Sequence, residues 1–382
     1  MEPLVFKGAL ATAQVYAHEI EACAITQIYA FLASPVFADA KIRIMPDCHA
    51  GSGAVIGFTC PVGDKIIPNV IGVDIGCGVA TTLTKVASFE DFDKKVRARV
   101  PSGFAHRQAP HLEIDRLFLE HIETRHGADL KQFKEDLARI GNKIGQTEFD
   151  LLNQIGTLGG GNHFIELDKE DGSDRLYLTV HTGSRNFGLR VAEYHQKKAQ
   201  DIVAGGNRRN ELAWLEGDNA QEYLYDMRVA QKFARLNRLV ILWELAGPLC
   251  FDIIESVHNF IDDTGMIRKG AVSAKAGEKV IIPWNMRDGL IIGTGLGNED
   301  WNCSAPHGAG RKMSRGEAKR TLSVDDFQTE MDAAGVWSSC VGKNTLDEAP
   351  GAYKDSSEVR DIIGETVDIE ITMKPVYNFK AS

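Results

Sequence analysis

The chain has 382 residues, of which 43% are hydrophobic and 25% are charged, and its formal net charge at pH 7 is −10. These fractions are typical of a soluble globular protein and predict a sizeable core. The negative net charge argues against a protein that coats nucleic acid through bulk electrostatics, although it leaves room for a local basic groove. No run of about 18 apolar residues could cross a bilayer, and the N-terminus does not resemble a secretory signal, so we expect a cytoplasmic protein.

The first hundred residues alternate short β-like runs with glycine-rich turns, which predicts strands at 42–45, 54–60, 70–73 and 79–83. Residues 111–152 are predicted to be mainly helical and peripheral. Strands follow at 164–167 and 176–181, and a helix is predicted to start after Asn186.

A long helix is predicted from about 221 to 261, because apolar residues such as Leu236 and Val240 repeat there at helical spacing. His258 and Asn259 would lie near the end of this helix. Further strands are predicted at 279–283, 290–293 and 366–373. We find no internal repeat or linker, so the sequence predicts an α+β fold in one domain over 1–382, with a β-sheet core and peripheral helices.

Five short segments each place an Asp, Cys or His beside small residues, mostly glycine. They read MPDCH at 45–49, GVDIGCG at 72–78, GGGNH at 159–163, HTGSR at 181–185 and HGAGR at 307–311. Glycine lets the backbone approach a ligand closely and adopt positive φ at low cost. We therefore predict one active site assembled from separate segments, in loops at strand ends.

The candidate metal ligands are Asp74, Cys77, His163, His181 and His258. One thiolate, one carboxylate and three imidazoles could hold two divalent ions if Cys77 bridges them. Such mixed ligation is compatible with Mn, Fe, Co or Zn. The alternative is that these histidines are hydrogen-bonded core residues. That alternative fits His258 best, because a histidine at a helix end also interacts favourably with the helix dipole.

Glycine-rich turns also expose backbone N–H groups that bind phosphate, and residues 156–163 and 307–316 fit that description. Neither 159–161 nor 293–297 is a Walker loop or a convincing Rossmann fingerprint, so a kinase or dehydrogenase is not favoured. Taken alone, these glycines could simply form tight turns. His307 is the candidate nucleophile towards phosphorus, with Arg311 and metal ions stabilising charge on the oxygens. Its second ring nitrogen needs an acceptor, and a carboxylate such as Asp47 would serve.

These clusters, together with DEAPGAYK at 347–354, strongly resemble the RtcB RNA ligase family from about residue 40 to the C-terminus. The resemblance implies an RtcB-type α+β fold with a central metal and nucleotide cleft. It also implies GTP- and Mn²⁺-dependent joining of an RNA 3′-phosphate or 2′,3′-cyclic phosphate end to a 5′-hydroxyl end, in RNA repair or tRNA splicing. The sequence leaves open whether an archease-type activator is needed as a partner.

By this resemblance, His307 would attack the α-phosphorus of GTP and carry GMP, with Asp47 orienting the ring. The guanylate would pass to the RNA 3′-phosphate, and the 5′-hydroxyl would displace it. A cyclic phosphate end would first be opened by water that a metal ion activates. The two implied Mn²⁺ sites are Asp74, Cys77 and His258 for one ion, and Cys77, His163 and His181 for the other.

The resemblance also implies ligand contacts along the chain. The nucleotide contacts would come from Asn162, His163, Phe164, Ile165, Glu166, His258, Asn259, Asn285, His307, Gly308, Ala309, Gly310, Tyr353 and Lys380. Arg185 and Arg311 would contact the RNA phosphate or the triphosphate.

The chain departs from the family pattern near the base contacts. Asn285 and Leu290 stand where many members carry two hydroxyl side chains, and Val257 replaces a histidine. These departures bear on the strictness of GTP preference. Two other hypotheses remain: a metal-dependent cyclic phosphodiesterase or phosphoesterase without efficient ligation, and a noncatalytic RNA-binding or assembly protein.

Overall fold

Two β-sheets form the framework of the protein. The computed structural model describes residues 2–124, 127–203, 210–248 and 253–381. The strands in these ranges are β1 (Leu4–Lys7), β2 (Thr12–Val15), β3 (Lys41–His49), β4 (Ile56–Pro61), β5 (Lys65–Ile66), β6 (Gly78–Thr84), β7 (Phe164–Glu170), β8 (Leu176–Thr182), β9 (Leu215–Glu216), β10 (Ile254–Val257), β11 (Asn259–Ile261), β12 (Met266–Lys269), β13 (Ala271–Ser273), β14 (Lys279–Asn285), β15 (Gly289–Gly295), β16 (Ser304–Pro306) and β17 (Val367–Lys380).

Helices cover the sheets and fill the long connections. They are α1 (Ala22–Leu32), α2 (Pro68–Ile71), α3 (Phe89–Arg99), α4 (Ile114–Phe118), α5 (Leu130–Ile144), α6 (Glu148–Leu152), α7 (Arg185–Val203), α8 (Gly217–Ala246), α9 (Arg315–Thr321), α10 (Val324–Ala333) and α11 (Ser356–Ile363). The long helix α8 packs against strands β6 and β8. None of the helices in the described ranges combines the length and the apolar character needed to cross a bilayer.

The larger sheet has seven strands in the order β10-β6-β8-β7-β17-β15-β14. Its edge strands meet, because the Ile281 N–H of β14 donates a 2.8 Å hydrogen bond to the Ser256 hydroxyl of β10. The smaller sheet has six strands in the order β1-β2-β3-β4-β12-β11, and β2 and β3 pair in parallel. The larger sheet is therefore curled until its two edges touch.

One face of the curled sheet carries mainly polar side chains in register. Glu166 of β7 lies opposite Asn378 of β17, and Phe164 lies opposite both Lys380 of β17 and His181 of β8. Residues two apart on a strand point to the same face. These five side chains therefore share one face, and Thr179 of β8 extends it beside Glu166.

The α+β class is confirmed, and most of the predicted strands are present. The strand predicted at 70–73 is wrong, because Pro68–Ile71 forms a short helix instead. Proline is well tolerated in the first turn of a helix. Gly72 then ends this helix with φ of 91°.

The helix predicted to reach residue 261 is also wrong at its C-terminal end. Helix α8 stops at Ala246, and Gly247 with φ of 79° follows it. A positive-φ glycine followed by proline is typical of a helix terminus. Residues 249–252 lie outside the described ranges, and His258 stands between strands β10 and β11. The single-domain organisation over 1–382 stays a prediction.

Candidate metal and nucleotide site

Cys77 lies at the centre of a cluster of metal-binding side chains. Its Sγ is 3.2 Å from His181 Nε2 and 3.5 Å from His163 Nε2. His163 Nε2 lies 2.8 Å from Asp74 Oδ2, and His181 Nε2 lies 3.3 Å from His258 Nε2. The fold therefore brings all five predicted metal ligands together.

The donor atoms form two groups that share Cys77. One group is Cys77, His181 and His258, the other is Asp74, Cys77 and His163, and within each group the donor atoms lie within 4.8 Å of one another. A shared thiolate is what a bridging ligand requires. This division of the ligands differs from the two Mn²⁺ sites that the family resemblance implies. Here Asp74 is grouped with His163, whereas the resemblance places it with His258. Thiolate, imidazole and carboxylate donors in two such groups fit two divalent ions of the transition series.

Backbone carbonyls orient two of the imidazole rings. His163 Nδ1 is 3.0 Å from Leu158 O, and His181 Nδ1 is 3.1 Å from Asn162 O. A carbonyl oxygen only accepts, so each Nδ1 carries a proton and each Nε2 is the ring atom that faces Cys77. This orientation lets each histidine bind a metal ion through Nε2 once that atom is deprotonated.

Burial and neighbouring charges set the protonation of the cluster. Burial lowers the pKa of His181 and His258 well below 6.5, and neighbouring histidines lower each pKa further. Burial, followed by the Asp74 carboxylate, raises the pKa of the Cys77 thiol well above 9. Burial opposes ionisation of Asp74, yet His163 lowers the pKa of that carboxyl to about 2. A metal ion that binds here would therefore displace the thiol proton.

Helix α8 contributes a buried arginine that the sequence analysis missed. Arg238 is fully buried and donates to Gly76 O at 2.8 Å and to Thr182 O at 2.7 Å. These carbonyls belong to the residues next to Cys77 and His181. Arg238 therefore fixes the spacing of two ligand segments. In the sequence Arg238 is one of several charged residues in this helix and stands directly before the apolar run 239–243, so no local pattern distinguishes it.

His307 faces the same cluster from the segment after β16. Its Nδ1 is 2.6 Å from Asp47 Oδ2, and its backbone N–H donates to the same oxygen at 3.1 Å. Because the fully buried Asp47 carboxylate accepts the Nδ1 proton, the lone pair of the ring lies on Nε2. The ring centroid is 4.8 Å from that of His258. The predicted nucleophile is thus oriented by Asp47 and lies close to the predicted metal ligands.

The glycine that follows His307 by three residues permits this arrangement. Gly310 has φ of 75°, and a Cβ atom at this position would lie 2.5 Å from Asp47 O. Any side chain would push the HGAGR segment away from the strand that carries Asp47. The short distance from His307 to Asp47 therefore depends on a residue without a side chain.

A buried ion-pair network surrounds Glu348. The Tyr353 hydroxyl donates to Glu348 Oε2 at 2.6 Å, and Lys380 Nζ lies 2.8 Å from the same oxygen. Arg315 and Arg311 contact the second oxygen at 2.5 and 3.3 Å. Burial opposes ionisation, but Lys380 and then Arg315 lower the pKa of Glu348 to about 2. Glu348 was not among the predicted contacts, although it belongs to the DEAPGAYK motif.

A cavity of about 600 Å³ has the Cys77 cluster at one end and Tyr353 and Lys380 of the network at the other, whereas Glu348 itself lines an adjacent cavity. The predicted nucleotide contacts in its wall are Asn162, Phe164, Glu166, His258, Asn259, Asn285, His307, Gly308, Ala309, Gly310, Tyr353 and Lys380. Ile165 does not line the cavity and packs in the hydrophobic core, because neighbouring residues on a strand face opposite sides. His163 lines an adjacent cavity.

Arg185 and Arg311, the two arginines predicted to bind phosphate, both contact other residues of the protein. Arg185 Nε donates to Thr157 Oγ1 at 3.0 Å, and its Nη2 donates to Gly103 O at 2.9 Å. The Arg311 guanidinium lies 5.1 Å above the centre of the Tyr353 ring. Arg311 lines the 600 Å³ cavity, whereas Arg185 lines the adjacent one.

The segment that departs from the family pattern has its own internal bonds. Asn285 Nδ2 donates to Asp288 Oδ2 at 2.7 Å, and Leu290 is fully buried. Trp284 lies in the cavity wall, and its buried Nε1 has no hydrogen-bond partner among the described residues. The two hydroxyls expected here are thus replaced by an amide that closes a turn and by an apolar side chain.

Comparison with known proteins agrees with these motifs. A family model described as tRNA-splicing ligase RtcB matches residues 27–381. The chain belongs to the RtcB family. It is 31% identical over 368 residues to the RNA-splicing ligase RtcB of Escherichia coli strain K12, covering 88% of each chain. It is 27% identical over 418 residues to the tRNA-splicing ligase RtcB of Methanococcus maripaludis, covering 87% of this chain and 86% of that relative. The RtcB-type fold class is confirmed.

Proposed function

We propose that this protein is a GTP- and Mn²⁺-dependent RNA ligase. It would join RNA 3′-phosphate or 2′,3′-cyclic phosphate ends to 5′-hydroxyl ends in RNA repair or tRNA splicing. Membership in the RtcB family and the names of its relatives support an RNA substrate. The observation that carries the proposal is the hydrogen-bonded pair of Asp47 and His307, which faces the Cys77 cluster.

His307 would be the nucleophile. Its Nε2 lone pair attacks the α-phosphorus of GTP, so that a P–N bond forms as the P–O bond to pyrophosphate breaks. Asp47 keeps its hydrogen bond to Nδ1–H and stabilises the positive charge that the ring gains. An oxygen of the RNA 3′-phosphate then attacks the same phosphorus and releases His307. Finally the 5′-hydroxyl attacks the phosphorus of the RNA 3′-phosphate, loses its proton and displaces GMP.

Two Mn²⁺ ions per chain would be held by the five clustered donors. When bound, they would polarise phosphoryl oxygens and offset the charge that develops on them. The protein contributes the orientation of the ligands. The carbonyls of Leu158 and Asn162 keep the Nε2 atoms of His163 and His181 pointed at Cys77.

The side chains in the wall of the cavity favour guanine as the base of the bound nucleotide. Lys380 Nζ can donate to a carbonyl oxygen such as guanine O6, whereas adenine carries an amino group at that position. Glu166 oxygens can accept from the N–H groups of the guanine edge, and the Tyr353 ring offers an aromatic surface. All three side chains line the cavity that contains His307.

The proposal extends to location and partners. The proposed location is the cytoplasm, where reducing conditions keep the Cys77 thiol available. An archease-type activator is the proposed protein partner.

The decisive experiment is incubation with GTP and Mn²⁺, followed by intact-mass measurement and peptide mapping. We expect one guanylate on His307, and no adduct in His307→Ala. His111→Ala is the matched control, because His111 pairs with Glu244 outside the nucleotide cavity. Mn²⁺ uptake without an adduct would contradict the proposal. Opening of a cyclic phosphate end without joining would instead identify a phosphodiesterase.

A further inference from the structure

A second cavity, of about 1000 Å³, reaches the metal-binding cluster from another side. Its wall contains Asp74 and His163 of the cluster, together with Arg185. It shares Asp74 and Arg315 with the nucleotide cavity. Since the nucleotide cavity holds His307, a second substrate has a separate route to the same centre through this opening.

Phe104 lies in the wall of the second cavity and is fully exposed to solvent. Single exposed apolar residues are common and need no explanation by themselves. The backbone that carries Phe104 is held in place, however. Gly103 N–H donates to Gly159 O at 2.9 Å, and Gly103 O accepts from Arg185 Nη2 at 2.9 Å. The aromatic ring is therefore presented to solvent from an anchored loop, beside a cavity that leads to the metal ligands.

The charges of the second cavity do not favour a ligand held mainly through phosphates. Arg315 lies 2.8 Å from Asp347 Oδ2, and Lys319 lies 3.2 Å from Asp347 Oδ1. These two cations are already paired with a carboxylate, the third cation, Arg185, donates to Thr157 Oγ1 and Gly103 O, and the protein as a whole carries a net charge of −10. A nucleic acid in this cavity would gain more from stacking and hydrogen bonds than from neutralisation of its backbone.

We propose that Phe104 is a stacking platform for an unpaired base of the RNA end that enters the second cavity. This inference rests on the proposed function, because it takes RNA as the substrate. Single-stranded RNA is typically bound by stacking of splayed bases on aromatic side chains. Every base has a π-face, so this contact would tolerate different sequences while holding the end near Asp74 and His163.

The test uses the full chain with Mn²⁺ and short single-stranded RNAs that carry 2-aminopurine at successive positions from either end. Stacking on Phe104 should quench the fluorescence at a particular position. Phe104→Ala and Phe104→Leu should both lose this quenching and weaken RNA affinity by about ten- to a hundredfold. Phe104→Trp should retain both, because it keeps an aromatic face. The loss should change little when salt is raised, since few phosphate contacts are involved.

Leu112→Ala is the matched control, because Leu112 is 96% exposed and lies outside the walls of both cavities. It should bind and quench like the wild type. Unchanged quenching in Phe104→Ala, or an equal loss in Leu112→Ala, would overturn the inference. Guanylate loading of the wild type is measured separately in the absence of RNA. Quenching of the 2-aminopurine fluorescence is measured in the absence of GTP. Failure of the proposed nucleotide chemistry is thereby distinguished from failure of the stacking contact.

Discussion

The two ends of the nucleotide cavity balance their charges in opposite ways. At the Cys77 end, a carboxylate, a thiol and three imidazoles bring their donor atoms within a few ångströms of one another. At the Glu348 end, both oxygens of a buried carboxylate already meet cationic side chains. Several electron-pair donors close together are stabilised when a cation binds between them. A carboxylate that is already paired with cationic side chains needs no further ligand to be stable. The first end is therefore suited to binding metal and the second to shaping the pocket.

The largest expected effect is at the Cys77 end. Because Cys77 belongs to both donor groups, Cys77→Ala should lose both bound Mn²⁺ ions, whereas His258→Ala should lose one. Bound Mn²⁺ can be counted by electron paramagnetic resonance after dialysis. Cys60→Ala, which removes a fully buried thiol elsewhere, should bind as the wild type does. Equal losses in Cys77→Ala and His258→Ala would contradict the shared-ligand arrangement.

The next effect concerns the residue that positions the nucleophile. In Asp47→Asn an amide replaces the carboxylate that holds His307 Nδ1–H, and it can favour the wrong ring tautomer. Guanylate loading should slow by about 10²- to 10⁴-fold, with Mn²⁺ binding preserved. Single-turnover mass measurements give the rate.

Asp93→Asn is the control for this prediction. Asp93 is also a buried carboxylate, and it accepts from Tyr377 and Ser339 in another part of the fold. It should load guanylate at the wild-type rate even if its stability falls. Near-normal loading in Asp47→Asn would remove the proposed role of Asp47.

At the Glu348 end we expect an effect on stability. Glu348→Gln would leave Lys380 buried and without its carboxylate partner. The free energy of unfolding in urea should fall by about 3–5 kcal/mol. The control Glu370→Gln breaks a surface pair with Lys279 and should cost at most about 1 kcal/mol. Equal small costs would show that the buried network contributes no more than a surface ion pair.

A pH dependence follows from the same carboxylate and is the smallest effect. The pKa of Glu348 lies at about 2 in the fold, against an ordinary value of 4.5. Its contribution to stability is therefore fully present above pH 4.5 and is lost as the pH falls towards 2. Urea unfolding of Glu348→Gln should show a shallower loss of stability across this range than the wild type. Parallel curves for the two proteins would contradict the lowered pKa.

The candidate site was easier to predict from the sequence than some of the elements that carry it. Asp74, Cys77 and His307 stand beside glycines in short motifs, so their chemistry was visible locally. His258 was placed at a helix end because apolar spacing continued towards it, yet Gly247 and Pro248 stop that helix. Periodicity reports the local pattern and does not reveal where a chain turns back into a sheet.

Contacts between distant segments set the limit of the sequence analysis. Arg238 looks like one charge in a helix, and only its bonds to Gly76 and Thr182 show that it spaces two ligand segments. Ile165 was included with its neighbours as a nucleotide contact, but the alternation of side chains along β7 turns it into the core.

The sequence by itself determined the kinds of chemistry available: a thiol, carboxylates and imidazoles in glycine-rich segments. These are properties of the side chains and do not depend on the fold. The tertiary structure decided how the other donors divide between the two groups that share Cys77, and it placed Asp47, which the sequence had suggested as the partner of His307, against that ring. Asp47 and His307 are 260 residues apart in the chain, and strand pairing together with the bare backbone of Gly310 brings them to 2.6 Å. Distances of this kind arise from packing between segments, so no local pattern could supply them.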